Sequence, residues 1–167
     1  MFDFYIYLKH PEKFSLTNFE EYCNSMGFDI ALYPAFELNK WDGGFVPIRY
    51  IDSRFNHNQN SNIFLTGFEL FFERCDHLPP TLPSKSGYTH KISLKCGVAD
   101  SFELLMTFLF GAYLIKMCEG AFEDPQSDEL SEDFMELEAT VGEILIELLD
   151  LSENGGLRTH CFNGWND

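Results

Sequence analysis

Positive charge is what this sequence lacks most. Eleven Lys and Arg stand against 27 Asp and Glu, for a formal charge of −16. Binding to nucleic acid or to an anionic lipid surface rests on cations that meet phosphate, so neither nucleic acid nor membrane is an expected partner. Cysteine is sparse and unpatterned. Cys23, Cys75, Cys96, Cys118 and Cys161 are odd in number and contain no CxxC pair. That argues against a disulfide framework or a zinc ribbon, and for reduced thiols in the cytoplasm. Long apolar runs are missing too. The most apolar stretch, Phe102 to Ile115, is shorter than the roughly 20 residues a membrane span needs. The opening MFDFYIYLKHPEK has no basic region ahead of its apolar part and does not read as a leader. No G-x-S-x-G, Walker loop or G-x-G-x-x-G occurs, and there is no internal repeat.

What is present is aromatic and apolar. Of the 167 residues 16% are aromatic, 18 of them Phe, which excludes a disordered chain and fits one domain over 1–167. Alternation predicts a strand over 2–8 and another over 28–33. Between them Thr17 and Glu20 suggest a capping box, with a helix running to Met26 and closed by Gly27. Residues 34–44 read as a loop. A strand is expected over 45–51, at an edge or carrying a bulge because Pro47 cannot donate to a ladder. The polar HNQNSN loop precedes a strand over 63–73. The loop LPPTLPSKSG leads to a half-buried strand over 88–96. Asp100 and Glu103 then mark a helix start, and residues 102–117 are apolar nearly all round, as in a buried central helix. Its Leu104, Leu105, Phe108, Leu109 and Ala112 are expected in the core. AFED suggests a short strand before Pro125. A last helix is expected from an N-cap at Ser131 to about Leu151, followed by an irregular tail over 157–167. Strands followed by two long helices indicate an α+β fold with a mainly antiparallel sheet, leaving room for one parallel pairing in the first β-α-β piece.

The acid is concentrated. Residues 119–157 hold thirteen of the 27 acids and none of the 11 bases, so −13 of the −16 sits there. Glu123, Asp124, Asp128, Glu129, Glu132 and Asp133 crowd a loop and the first turn of the last helix. Along that helix Leu137, Val141, Ile144, Leu145, Leu148 and Leu151 share one face, with Met135, Ile146 and Leu149 widening it. Glu132, Glu136, Glu143, Glu147 and Asp150 fall on a narrow stripe. Such a stripe is either a solubilising face or a docking surface for a basic protein, because a one-sign field speeds association with its complement.

Catalytic and metal-binding patterns are weak. DPQSDELSED lacks the Gly that a calcium loop needs. His10, His57, His77, His90 and His160 form no i,i+4 pair, so no metal and no cofactor is expected. Cys75-Asp76-His77 is the nearest approach to a thiol and its base, and adjacency in sequence rarely gives that geometry. His90 reads as a core histidine. Trp41 and Trp165 read equally as interface anchors or as core. Phe2, Phe4, Tyr5 and Tyr7 have the look of a stacking platform for single-stranded nucleic acid, but only Lys9 lies near in sequence, which favours core packing.

From MFDFYIYLKHPEKFSLTNFEEYCNSMGFDIALYP through KWDGGFVPIRYID to ADSFELLMTFLFGAYLIKMCEGAFEDPQSDE and the acidic last helix, the chain resembles the contact-dependent growth inhibition immunity proteins (CdiI) paired with EndoU-like ribonuclease toxins. The resemblance covers the whole chain. It implies a non-enzymatic protein that binds a toxin domain and blocks its active site, and a fold like that of the Whirly proteins. A ribonuclease holds RNA with positive charge, so an acidic inhibitor suits that role. The alternatives are a nucleic-acid mimic or interaction module for another basic partner, and an enzyme acting through carboxylates or Cys75 and His77.

Overall fold

A computed structural model describes residues 1–55, 62–82, 87–97 and 99–165. The HNQNSN loop, save Asn62, and residues 83–86 of LPPTLPSKSG lie outside the described residues. The elements are β1 (Phe2–Leu8), α1 (Leu16–Ser25), β2 (Asp29–Leu32), β3 (Gly44–Ile51), β4 (Ile63–Arg74), β5 (His90–Cys96), α2 (Glu103–Cys118), β6 (Gly120–Asp124), β7 (Glu129–Ser131), α3 (Phe134–Glu153) and β8 (His160–Cys161). The fold is α+β. One open sheet runs β2-β3-β4-β5-β1-β6-β7, with β8 added beside β4. Every pairing is antiparallel. The parallel pairing left open for the first β-α-β piece does not form. Three strands stand between β1 and β2, because β1 takes β5 and β6 as its partners.

Several local expectations change for physical reasons. Strand β3 is internal rather than an edge. Pro47 sits opposite Gly67 of β4, and its carbonyl accepts from Tyr33 N just past the end of β2. Backbone N and C=O of one strand residue point the same way, so the missing N–H faces the place where the β2 ladder stops. Helix α1 is capped by Ser15, whose Oγ accepts from Asn18 N at 3.3 Å, while the expected capping residue Glu20 accepts from Leu32 N at 3.0 Å and so ties α1 to β2. Helix α3 is capped by Asp133, not Ser131; Asp133 Oδ1 accepts from Met135 N at 2.9 Å. Ser131 ends β7, a strand not expected from sequence. The tail is not wholly irregular, since β8 pairs Cys161 with Phe64 and His160 with Leu65, continuing alongside β4 where β5 has ended.

The three helices cover one face of the sheet. Helix α2 lies innermost, and Leu105, Leu109, Phe110, Ala112 and Tyr113 are fully buried against Phe4, Ile6, Phe68, Leu70 and Leu94 of the strands. Leu104 and Phe108 are only partly buried, contrary to the sequence reading. Phe108 packs its ring on Phe4 and Phe122 but lies at a shallow opening between β6, β7 and α3. The start of α2 is fixed by Asp100, which is buried and accepts from Phe102 N at 2.8 Å, Thr66 Oγ1 at 3.1 Å and His160 Nδ1 at 3.1 Å. A smaller cluster of Tyr7, Leu82, Tyr88 and Ala121 forms on the opposite face, beneath the chain that leads into β5.

No disulfide joins any of the five Cys. Burial pushes the thiols of Cys23, Cys96 and Cys118 up, Cys96 to about 11 and Cys118 to about 12. Replacing Phe110 by Ala should cost about 3–5 kcal/mol in chemical denaturation, and replacing the half-buried Phe108 clearly less; equal costs would misplace α2. Under native conditions at neutral pH a thiol reagent should modify Cys75 and Cys161 quickly, with Cys23, Cys96 and Cys118 reacting only on unfolding. Fast reaction of Cys118 would show that the α2 end is not buried.

Candidate protein-docking surface

Helix α3 packs on α2 through Leu137, Val141, Ile144 and Leu148, all buried. With 3.6 residues per turn, that leaves Glu136, Glu143, Glu147 and Asp150 aligned on solvent-facing positions. All four are exposed. Glu132 precedes the helix and stands apart from their stripe. Next to the acidic stripe runs an apolar one, which includes Met135 and Ile146 of the wide apolar arc read from the sequence. Met135, Ala139, Gly142 and Ile146 recur at four, three and four residues, and all are exposed, Met135 at 64% and Ile146 at 69%. Leu151 is exposed as well. The outer surface of α3 therefore carries an apolar stripe beside its carboxylates.

The remaining acids divide between two tasks. Asp124 accepts from Gln126 N at 2.9 Å and shapes the turn between β6 and β7, where Asp128 is left-handed at φ 57°. Glu129 is exposed on β7. Glu136 also accepts from Ser131 Oγ, and Asp150 from Asn154 Nδ2 at 3.3 Å. Glu123 and Glu132 are instead held by phenols on the opposite side of the sheet: Tyr7 donates to Glu123 at 2.8 Å, and Tyr88 donates to Glu132. On the helical side Tyr22 of α1 donates to Glu138 at 2.9 Å. The ten carboxylates singled out from sequence thus do not share one plane. Glu136, Glu143, Glu147 and Asp150 share one exposed side of α3, Asp133 caps its start, Asp124 and Glu129 lie near Glu136 at one opening, Asp128 sits in the β6–β7 turn, and Glu123 and Glu132 bond to phenols of the other side.

Among the described residues no Lys, Arg or His pairs with any carboxylate from Glu123 to Glu153; the ion pairs lie elsewhere, as Lys13–Glu119 at 3.0 Å and Lys91–Glu73 at 3.1 Å. Lys116 of α2 lies over the rings of Phe134 and Tyr22 at 4.9 and 5.4 Å. Within the acidic segment only its first residue, Glu119, has an ion-pair partner among the described residues.

Other candidates look different in three dimensions. Cys75 Sγ donates to the backbone carbonyl of His77 at 3.0 Å rather than to its ring, so the pair is not a nucleophile with its base. Trp41 is held in the core margin, its indole N–H donating to Leu70 O at 2.9 Å, while Trp165 stacks on the exposed Tyr33 at 5.4 Å. Among the described residues no three His, Cys, Asp or Glu gather as metal ligands, and no helix is long and apolar enough to cross a membrane. On β1, Phe4 is core but Tyr5 lies on the opposite face with Lys91 above it at 4.7 Å, and Lys95 lies over Phe71 at 5.5 Å. Those lysines were invisible to a search near β1 in sequence, because register brings Ser93 opposite Tyr5 from far along the chain.

No protein-family model matches the chain, no curated protein matches its sequence, and no solved structure matches its fold.

Burial, then the bonded carboxylate, raises the phenols of Tyr7, Tyr22 and Tyr88 well above the usual tyrosine range. A group whose folded value lies above its unfolded one adds stability below the unfolded value, about 10, and loses it as pH climbs past that point. The denaturation midpoint should therefore fall above about pH 10. Tyr22→Phe should cost about 1–3 kcal/mol at neutral pH and flatten that alkaline decline. An unchanged alkaline slope in Tyr22→Phe would remove this bond from the stability of α3.

Proposed function

We propose that this protein is an immunity protein, a binding protein without catalysis of its own, which works in the cytoplasm. It neutralises a cognate contact-dependent growth inhibition toxin, most simply an EndoU-like ribonuclease, by covering the toxin's basic active-site surface. The observation that carries the reading is the outer face of α3, where Met135, Ala139, Gly142 and Ile146 lie exposed beside Glu136, Glu143, Glu147 and Asp150. A purely solubilising face has no use for exposed Met and Ile. An interface combines an apolar centre with a charged rim, and contiguous exposed apolar side chains rimmed by polar ones mark interaction sites. The sign of the rim selects a basic partner, and the resemblance to the CdiI proteins supplies the class of that partner. A ribonuclease active site, built to hold phosphates, has the complementary charge. The same face would serve any basic protein, which is the competing reading.

Association kinetics with a cognate EndoU-like toxin domain separate these cases. Glu143→Gln with Glu147→Gln should slow association and flatten its salt dependence, since rim charge acts on the encounter. Ile146→Ala should leave association nearly unchanged and speed dissociation, costing about 1–2 kcal/mol. Unaltered kinetics in both variants would take α3 out of the interface. Failure of the wild-type protein to bind or inhibit that toxin would overturn the immunity role.

A further inference from the structure

Away from α3, a cavity of about 510 Å³ opens at the end of the sheet where β1 and β4 finish and β5 begins. Two stacked ring pairs line it. Phe14 and Phe36 lie 5.7 Å apart at 25°, and Phe72 and His90 lie 4.9 Å apart at 6°. Glu12 and Glu37 also line it, beside Pro11, Leu16 and Leu38, and neither Lys nor Arg belongs to the lining among the described residues.

We propose that this cavity receives the guanidinium of an arginine side chain presented by a protein partner. The inference rests on the reading of that partner as a basic protein. Aromatic faces attract cations, and the planar, weakly hydrated guanidinium stacks on rings while forking onto carboxylates. A hydrated ammonium exploits stacked rings less well, and an anion would meet Glu12 and Glu37. The electrostatics agree. Burial, aided by Arg74, holds the His90 imidazole below its usual value, so it offers a neutral ring rather than a repelling charge. Glu12 is held below the usual carboxylate range by its own backbone N–H and by His10, and so stays ionised. Glu37 accepts from Lys40 Nζ at 2.9 Å in an exposed pair. Such pairs hold little free energy, so an entering guanidinium can take over the carboxylate.

The test uses the purified protein and N-acetyl-arginine methylamide as the probe, with the lysine and glutamine analogues beside it. Trp41 lies 4.6 Å from Phe36, so its indole N–H resonance reports on the cavity, and Trp165, stacked on Tyr33, is an internal control. A saturable shift at Trp41 and none at Trp165 is expected, tighter for the arginine probe than for lysine and absent for glutamine. Phe36→Leu should weaken binding roughly 2- to 30-fold. Glu37→Gln, which changes only an exposed charge and leaves the fold intact, should weaken it as well. Shifts that never saturate, equal binding of the glutamine analogue, or indifference to Glu37→Gln would each overturn the assignment. No partner is in the tube, so a failure here leaves the α3 surface standing, and a failure of α3 to bind toxin leaves this site standing.

Discussion

Everything in the molecule depends on covering α2. Eleven of its sixteen residues are buried, so its surroundings must be apolar on nearly every side. The inner sheet face supplies Phe4, Phe68 and Leu94, α1 supplies Phe19, and α3 supplies Leu137, Val141 and Leu148. Gly111 marks how closely these layers meet, since a Cβ there would lie 2.8 Å from the Phe122 ring and 3.1 Å from Leu137. Once the inward side of α3 is committed to α2, its outward side is determined. The carboxylates must face solvent, and Met135 and Ile146 have no core left to enter.

Tyrosine is how the fold anchors its acids without neutralising them. A Lys or Arg at Glu123, Glu132 or Glu138 would bind the segment to the body and cancel a charge. A phenol makes a comparable hydrogen bond and cancels nothing. Tyr7 comes from β1, Tyr22 from α1 and Tyr88 from the chain just before β5, so the acidic third is secured both on the helical side of the sheet and on the opposite one. Compact structure and a strong one-sign field are thus reconciled by the choice of donor.

Patterns local in sequence were read well, and features set by distant contacts were not. The alternation in β1 and β5 and the apolar run of α2 each report their own burial, so these elements and the α+β class could be named from the chain alone. Strand β8 and the internal place of β3 depend on which strand lies alongside, and nothing in HC or FVPIRYI says so. The acidic stripe at Glu136, Glu143, Glu147 and Asp150 follows from helical spacing. Spacing puts Met135 and Ile146 on a wide apolar arc, but which part of that arc is covered depends on α2, which meets only the side carrying Leu137, Val141, Ile144 and Leu148. The Phe14, Phe36, Phe72 and His90 cavity draws on four separate segments and had no signal in any of them.

The central position of β1 bears on how the chain assembles as it emerges from the ribosome. Phe2 pairs with Cys96, and Tyr5 with Ser93 on one side and Glu123 on the other. Within this sheet the strand earliest in sequence is therefore a middle strand, and its neighbours β5 and β6 come much later in the chain. Until then FDFYIYL remains an aromatic-rich edge with nothing to pair with, the kind of segment that aggregates or recruits a chaperone. β2, β3 and β4 can zip into a local meander in the meantime. The sheet then closes around β1 late, by long-range pairing that pays its loop-closure entropy all at once.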